Sequence, residues 1–110
     1  MLTVKTSVAR LFSKYVHIYR RVKMTPKNYL KKILSQGCII TGETGPHVVP
    51  HHPKSFKNGA GKVSDFLAIP MVSRLHTLQD DSVHLNKSLF EDRYGRELDL
   101  LARTIQRSQK

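Results

Sequence analysis

A chain of 110 residues, 39% of them hydrophobic, is long enough for one domain with a modest core and too apolar for a disordered segment. Its 19 Lys and Arg against 8 Asp and Glu give a formal charge of +11, which favours polyanionic partners, nucleic acid first and an anionic membrane surface second. The single cysteine, Cys38, excludes an internal disulfide and a multi-cysteine zinc site, and no apolar run reaches the ~20 residues of a membrane span.

The charge is uneven. Residues 1–42 carry Lys5, Arg10, Lys14, Arg20, Arg21, Lys23, Lys27, Lys31 and Lys32 and no acidic residue. Val4, Val8, Leu11, Phe12, Tyr15, Ile18, Tyr19 and Val22 recur there at helical spacing, with the cations between them. This predicts an amphipathic basic helix. Its apolar stripe either docks on the domain beneath a solvated basic face, or the basic face tracks phosphates through residues such as Arg20, Arg21, Lys31 and Lys32. The same composition also describes an organellar transit peptide or a membrane-surface segment over residues 1–24.

The next unit is clearly punctuated. Thr25 is a candidate N-cap, Pro26 suits the first helical position, and Gly37 suits the C-terminal cap of a helix with Tyr29, Leu30, Ile33 and Leu34 on its apolar face. "CIITG" (38–42) reads as a short buried strand, "GETG" as a turn and "HVVPHH" (47–52) as the second strand of a hairpin, with Pro50 placing it at an edge. Adjacent residues on a strand point to opposite faces, so His51 and His52 serve one site only where the strand stops, which Pro53 favours.

Downstream, Pro70 can open a helix from about Met71 on which His76, Asp80 and His84 are spaced four apart. His76 and Asp80 can then share one metal, whereas His84 needs the helix to continue through Ser82 and Val83. "NGAGK" (58–62) lacks the full phosphate-loop pattern. His47 falls at the predicted turn, and Cys38 has the look of a buried structural residue. Asn86 is a candidate cap for "KSLFEDRY", Gly95 a break, and Leu98, Leu101 and Ile105 a core-packing stripe on the last helix.

A hairpin ending in His-His, a Gly-containing loop and a helix with His and Asp resembles the HNH endonuclease superfamily. The chain is most similar to its phage recombination-enhancement (Ref-like) group. The matching pieces are "PHH" (50–52), "GKVSD" (61–65), "IPM" (69–71), "RLH" (74–76) and "FEDRYGRELDLLARTIQR" (90–107), covering roughly residues 38–107. The resemblance implies a small ββα-metal core in residues 38–110 completed by C-terminal helices; with the basic helical segment that the spacing predicts in residues 1–37, the expected fold class is α+β. It implies metal ligands at His51, His76 and Asp80, and a general base at His52, since a neutral imidazole titrates near ~6.5. Asp65 would brace the loop by accepting backbone N–H bonds. Mg²⁺ or Mn²⁺ is the metal expected in the cell, with Zn²⁺ or Ni²⁺ also acceptable to imidazole. Lys54, Lys57 and Lys62 flank the centre and can neutralise phosphates.

The departures are specific. Thr41 and Val72 stand where the family carries zinc-binding cysteines, so the structural zinc is expected to be lost. Leu75-His76 replaces a His-His pair, and Asp65 replaces the middle Asn. The leading expectation is a metal-dependent DNA endonuclease of phage or prophage origin, cytoplasmic in a bacterial host, working on DNA beside recombination proteins and not in a membrane. The competing one is a non-catalytic nucleic-acid-binding or host-interaction protein on a degenerate HNH scaffold.

Overall fold

The computed structural model describes residues 24–56 and 63–109. The basic helix expected in the first 23 residues, with Arg20 and Arg21, lies outside the described residues, as do Lys57 and Lys62 of the loop. The rest is an α+β arrangement: helix α1 (Pro26–Ser35), strand β1 (Val48–His51), strand β2 (Ile69–Val72), a π-type turn at Arg74–Leu78, and helices α2 (Lys87–Tyr94) and α3 (Glu97–Arg107). Single 3₁₀ turns sit at Lys54–Phe56 and Asp65–Leu67.

Helix α1 begins and ends where its punctuation predicts. Thr25 Oγ1 accepts the Asn28 N–H at 3.1 Å, Pro26 opens the first turn, and Gly37 follows at φ 92° with its N–H on Leu34 O. A Cβ at Gly37 would lie 2.9 Å from Glu43 O, so both the space and the backbone conformation require glycine. Tyr29 and Ile33, one turn apart, are fully buried against Ala68, and the Tyr29 ring meets Phe66 at 5.1 Å. Arg107 Nη2 donates to Gly37 O at 2.6 Å and Gln36 Nε2 donates to Arg107 O at 3.1 Å, which ties the end of α1 to the end of α3. Helix α1 thus packs with the residues that follow position 38 rather than standing apart from them.

The strand pairing corrects the expected hairpin. β1 pairs antiparallel with β2, in register Val48↔Val72, Val49↔Met71, Pro50↔Pro70 and His51↔Ile69. The "CIITG" segment is a closed loop, with Cys38 N–H on Glu43 O and Gly42 N–H on Cys38 O. Having spent those groups on itself, it gives the sheet one bond, Ile39 N–H to Pro70 O at 3.0 Å. Pro70 is therefore in a strand and does not open a helix. All four β2 residues are buried, an apolar run packed against α1 and α3. Facing prolines without N–H groups restrict this ladder to a short one.

The main core joins Cys38, Val48, Ile69, Met71, Val72, Leu75, Val83, Phe90, Leu100, Leu101 and Ile105. Phe90 is fully buried, and its truncation to Ala would cost about 3–5 kcal/mol. Cys38, Val72 and Leu75 pack together in this core, and the Thr41 N–H approaches Cys38 Sγ at 3.5 Å. Burial pushes the Cys38 thiol up, but hydrogen bonds from Thr41, Val72 and Ile40 outweigh it and leave the thiol below its ordinary value. Asn86 caps α2 through Leu89 N–H at 3.1 Å, and Gly95, at φ 113°, separates α2 from α3. No helix among the described residues is long and apolar enough to cross a membrane.

A three-histidine candidate metal centre

His51 is the last residue of β1 and faces inward; it is 3% exposed. His76 is on the π-type turn that follows β2, and His84 lies in the turns leading to α2. One ligand nitrogen from each of the three rings lies within 4.8 Å of the other two. His76 and His84 Nε2 are 2.9 Å apart, and the ring centroids are separated by 5.1, 5.1 and 4.5 Å. That spacing suits three imidazoles around one cation, since a metal–N bond of ~2.0–2.1 Å places two ligand nitrogens 3–4 Å apart.

His84 reaches the centre without a continuous helix. The helical turn ends at Gln79, whose ψ of 157° is extended, and the chain folds back so that Val83 N–H meets Leu75 O at 2.9 Å and His84 N–H meets His76 O at 3.2 Å. The expectation of a helix carrying His76, Asp80 and His84 on one face is corrected accordingly. Asp80 follows the break, is exposed, and lies beside Leu78, Gln79, Asp81, Leu89 and Arg93 instead of joining the imidazoles. His84 occupies the place in the ligand group assigned to Asp80 from sequence.

The electrostatics at His76 and His84 favour the neutral ring. Burial first, then the repulsion that His51, His84 and His52 exert when protonated, pushes His76 down to about 4. Burial also lowers His84, helped by His51 and Lys54 against the opposing pull of Glu97. Neutral imidazoles keep a lone pair for a cation at physiological pH.

Behind His51 stands a carboxylate absent from the sequence-based site. Glu97, buried at the start of α3, has Oε2 2.5 Å from His51 Nε2, and Lys87 Nζ is 2.9 Å from its Oε1. Burial raises Glu97, but the bonds from His51 and Lys87 prevail and hold it below the usual carboxylate range. A signal for it existed. Glu97 shares a helical face with Leu100, Leu101, Thr104 and Ile105, all buried, and a Glu on a buried stripe demands a partner.

His52, one residue beyond the strand, has Nε2 2.8 Å from Asp65 Oδ1, with both side chains about a third exposed. Asp65 is expected to brace the loop through backbone N–H groups, of which those of residues 57–62 lie outside the described residues; among the described residues its carboxylate engages the ring of His52. Lys54 is exposed in the adjoining 3₁₀ turn, and Lys31 is exposed on α1 with Lys32 half-buried beside it.

Fold and site together define a small α+β domain with a candidate three-imidazole metal centre flanked by a His–Asp pair. The chain belongs to the family described as Protein of unknown function (DUF968), whose pattern matches residues 11–110. Neither a comparison with curated proteins nor one with solved structures finds a match.

Proposed function

We propose that this protein is a metal-dependent DNA endonuclease, with His51, His76 and His84 as its metal ligands and His52 as its general base. The observation that carries the reading is the convergence of three imidazoles beside an independent, partly open His–Asp pair. The resemblance to the HNH superfamily, and within it to the Ref-like group, points the same way. A bound cation there would polarise the scissile phosphate and stabilise charge developing on the leaving oxygen.

The chain's own residues supply the rest. The Asp65 carboxylate accepts from one ring nitrogen of His52 and leaves the other free to take a proton from an attacking water. Lys54, whose charge reaches His84, would pair with a phosphate of the bound strand. The basic side chains on α1, Lys31 and Lys32, together with Arg20, Arg21, Lys57 and Lys62, would extend this footprint, giving binding that depends on charge more than on base identity.

With Asp80 outside the ligand group, the donors are all imidazole nitrogen. This set suits Zn²⁺ or Ni²⁺ better than Mn²⁺, and better still than Mg²⁺, which prefers oxygen and dehydrates reluctantly. The test is nicking of supercoiled plasmid with each of these ions and with Mg²⁺, for the wild type and His52→Ala. Metal-dependent nicking abolished by EDTA and by the substitution is expected. Wild-type cleavage no greater than that of His52→Ala would overturn the enzyme reading, and retained salt-dependent DNA binding would then favour a non-catalytic nucleic-acid binder. A role beside recombination proteins in a bacterial host belongs to the same proposal, and is tested by co-purification with the host's strand-exchange machinery.

A further inference from the structure

The two nitrogens of His51 are in different situations. Nε2 lies 2.5 Å from Glu97 Oε2. Nδ1 is buried and has no hydrogen-bond partner among the described residues, yet its ring stands 5.1 Å from both His76 and His84. A buried imidazole nitrogen without a partner is costly unless something fills its place.

Glu97 is positioned to decide which nitrogen carries the proton. Its second oxygen accepts from the Lys87 ammonium at 2.9 Å, which favours the ionised carboxylate and leaves Oε2 as an acceptor. The residue opens α3, where the helix dipole favours negative charge, and its own N–H is held by Glu91 Oε2 at 3.1 Å. A carboxylate fixed at both ends can only receive a hydrogen bond from His51 Nε2.

We infer that Glu97 is a positioning residue that holds His51 in its Nε2–H tautomer and so directs the bare Nδ1 into the three-imidazole cluster. Lys87 acts through Glu97, compensating the buried charge from the solvent side. The inference rests on the proposed metal centre for its consequence, but the tautomer itself is a property of the metal-free chain. It makes α3 part of the centre: the helix that packs the core also orders a ligand by its first residue. Hydrogen-bond partners behind a ligating histidine commonly change metal affinity by about 10–100-fold when removed.

The test is imidazole ¹⁵N NMR on the metal-free full chain, together with Zn²⁺ titration calorimetry, for wild type, Glu97→Gln, Glu97→Leu and Lys87→Met. The wild type should show His51 protonated at Nε2 and bare at Nδ1. Glu97→Leu should lose that preference and weaken Zn²⁺ binding about 10–100-fold. Glu97→Gln, which keeps a carbonyl acceptor, should retain the tautomer and recover most of the affinity, a rescue that loss of packing alone would not produce. Lys87→Met should leave the ring as it is and cost a few-fold. A His51 ring protonated at Nδ1 in the wild type, or a tautomer indifferent to Glu97→Leu, overturns the inference. If Glu97→Leu fails to fold, the wild-type and Glu97→Gln spectra still decide it. Wild-type protein that shows the expected tautomer but binds no Zn²⁺, Ni²⁺ or Mn²⁺ would overturn the metal centre and leave the tautomer assignment standing.

Discussion

His51 and His52 are neighbours in the chain and opposites in the fold. His51 is buried at the end of β1, braced by a buried Glu97 and facing two more imidazoles. His52 lies just past the strand, about a third exposed, and is paired with an equally accessible Asp65. Both rings use Nε2 toward a carboxylate, yet one carboxylate sits in the core and the other on a loop open to solvent. The alternation of side chains along a strand explains the divergence, and the strand's end lets the two sites remain close enough for the charge of His52 to bear on His76. The inner position suits a ligand, which must be rigid and desolvated. The outer suits a proton carrier, which must exchange with water.

The largest effect should come from breaking the inner side. His76→Ala removes one of the three proposed ligands, and Zn²⁺ affinity measured by calorimetry should fall by more than about 100-fold, beyond the usual loss for a hydrogen-bond partner behind a ligand. Asp80→Ala should leave it within about threefold, because Asp80 is outside the imidazole group. Equal losses in the two variants would restore Asp80 as a ligand and displace His84.

Breaking the outer side should do the reverse. His52→Ala should keep Zn²⁺ affinity within about threefold while nicking drops by roughly 10²–10⁴, the usual contribution of a general base. Asp65→Asn should lower nicking on the order of 10-fold, since the ring survives but loses its ionised acceptor. The separation fails if His52→Ala also strips the metal, in which case the two histidines serve one role.

This division was only half legible in the sequence. Caps, apolar faces and the His-His pair are local signals, and Thr25, Gly37, Asn86 and Gly95 stand where they were expected. The partner strand was misplaced because "CIITG" and "IPMV" are equally apolar over a few residues, and periodicity cannot decide which of two short runs pairs with a third. His84 was a conditional ligand because spacing was read on an ideal helix, whereas the chain reaches the same place by a π-type turn and a fold-back. Glu97 is faint in the sequence because a long-range pair leaves one trace there, an acidic residue on an apolar stripe. The stripe itself was read through Leu98, Leu101 and Ile105, although the buried face runs through Glu97, Leu100, Leu101, Thr104 and Ile105.

A smaller effect sharpens the same contrast through pH. In the metal-free protein His76 is pushed down to about 4, chiefly by burial and then by neighbouring imidazoles. Between ~6.5 and about 4 the unfolded chain therefore binds a proton there that the folded chain does not. Stability is fully present above ~6.5 and declines as pH falls toward 4, and the lowered His84 adds in the same direction. The urea midpoint should fall between pH 7.5 and pH 5, and the fall should be shallower in His76→Gln. A midpoint independent of pH in the wild type would mean that His76 titrates as freely as an exposed imidazole.

The smallest effect concerns the cations around the two sites. Lys54 is solvent-exposed, so under the proposed function its contribution would be a phosphate contact without burial. Because its charge already registers at His84, it should lie within reach of the strand being cut, whereas Lys31 on α1 would contact the duplex elsewhere. Lys54→Gln and Lys31→Gln should each weaken DNA binding a few-fold and reduce the slope of log K against log salt by about one. Only Lys54→Gln should also lower nicking at saturating DNA, because in the proposed reading only its contact would adjoin the reacting phosphate. Identical nicking by the two variants at saturation would place Lys54 in the general footprint and confine the reacting centre to the histidines and their carboxylates.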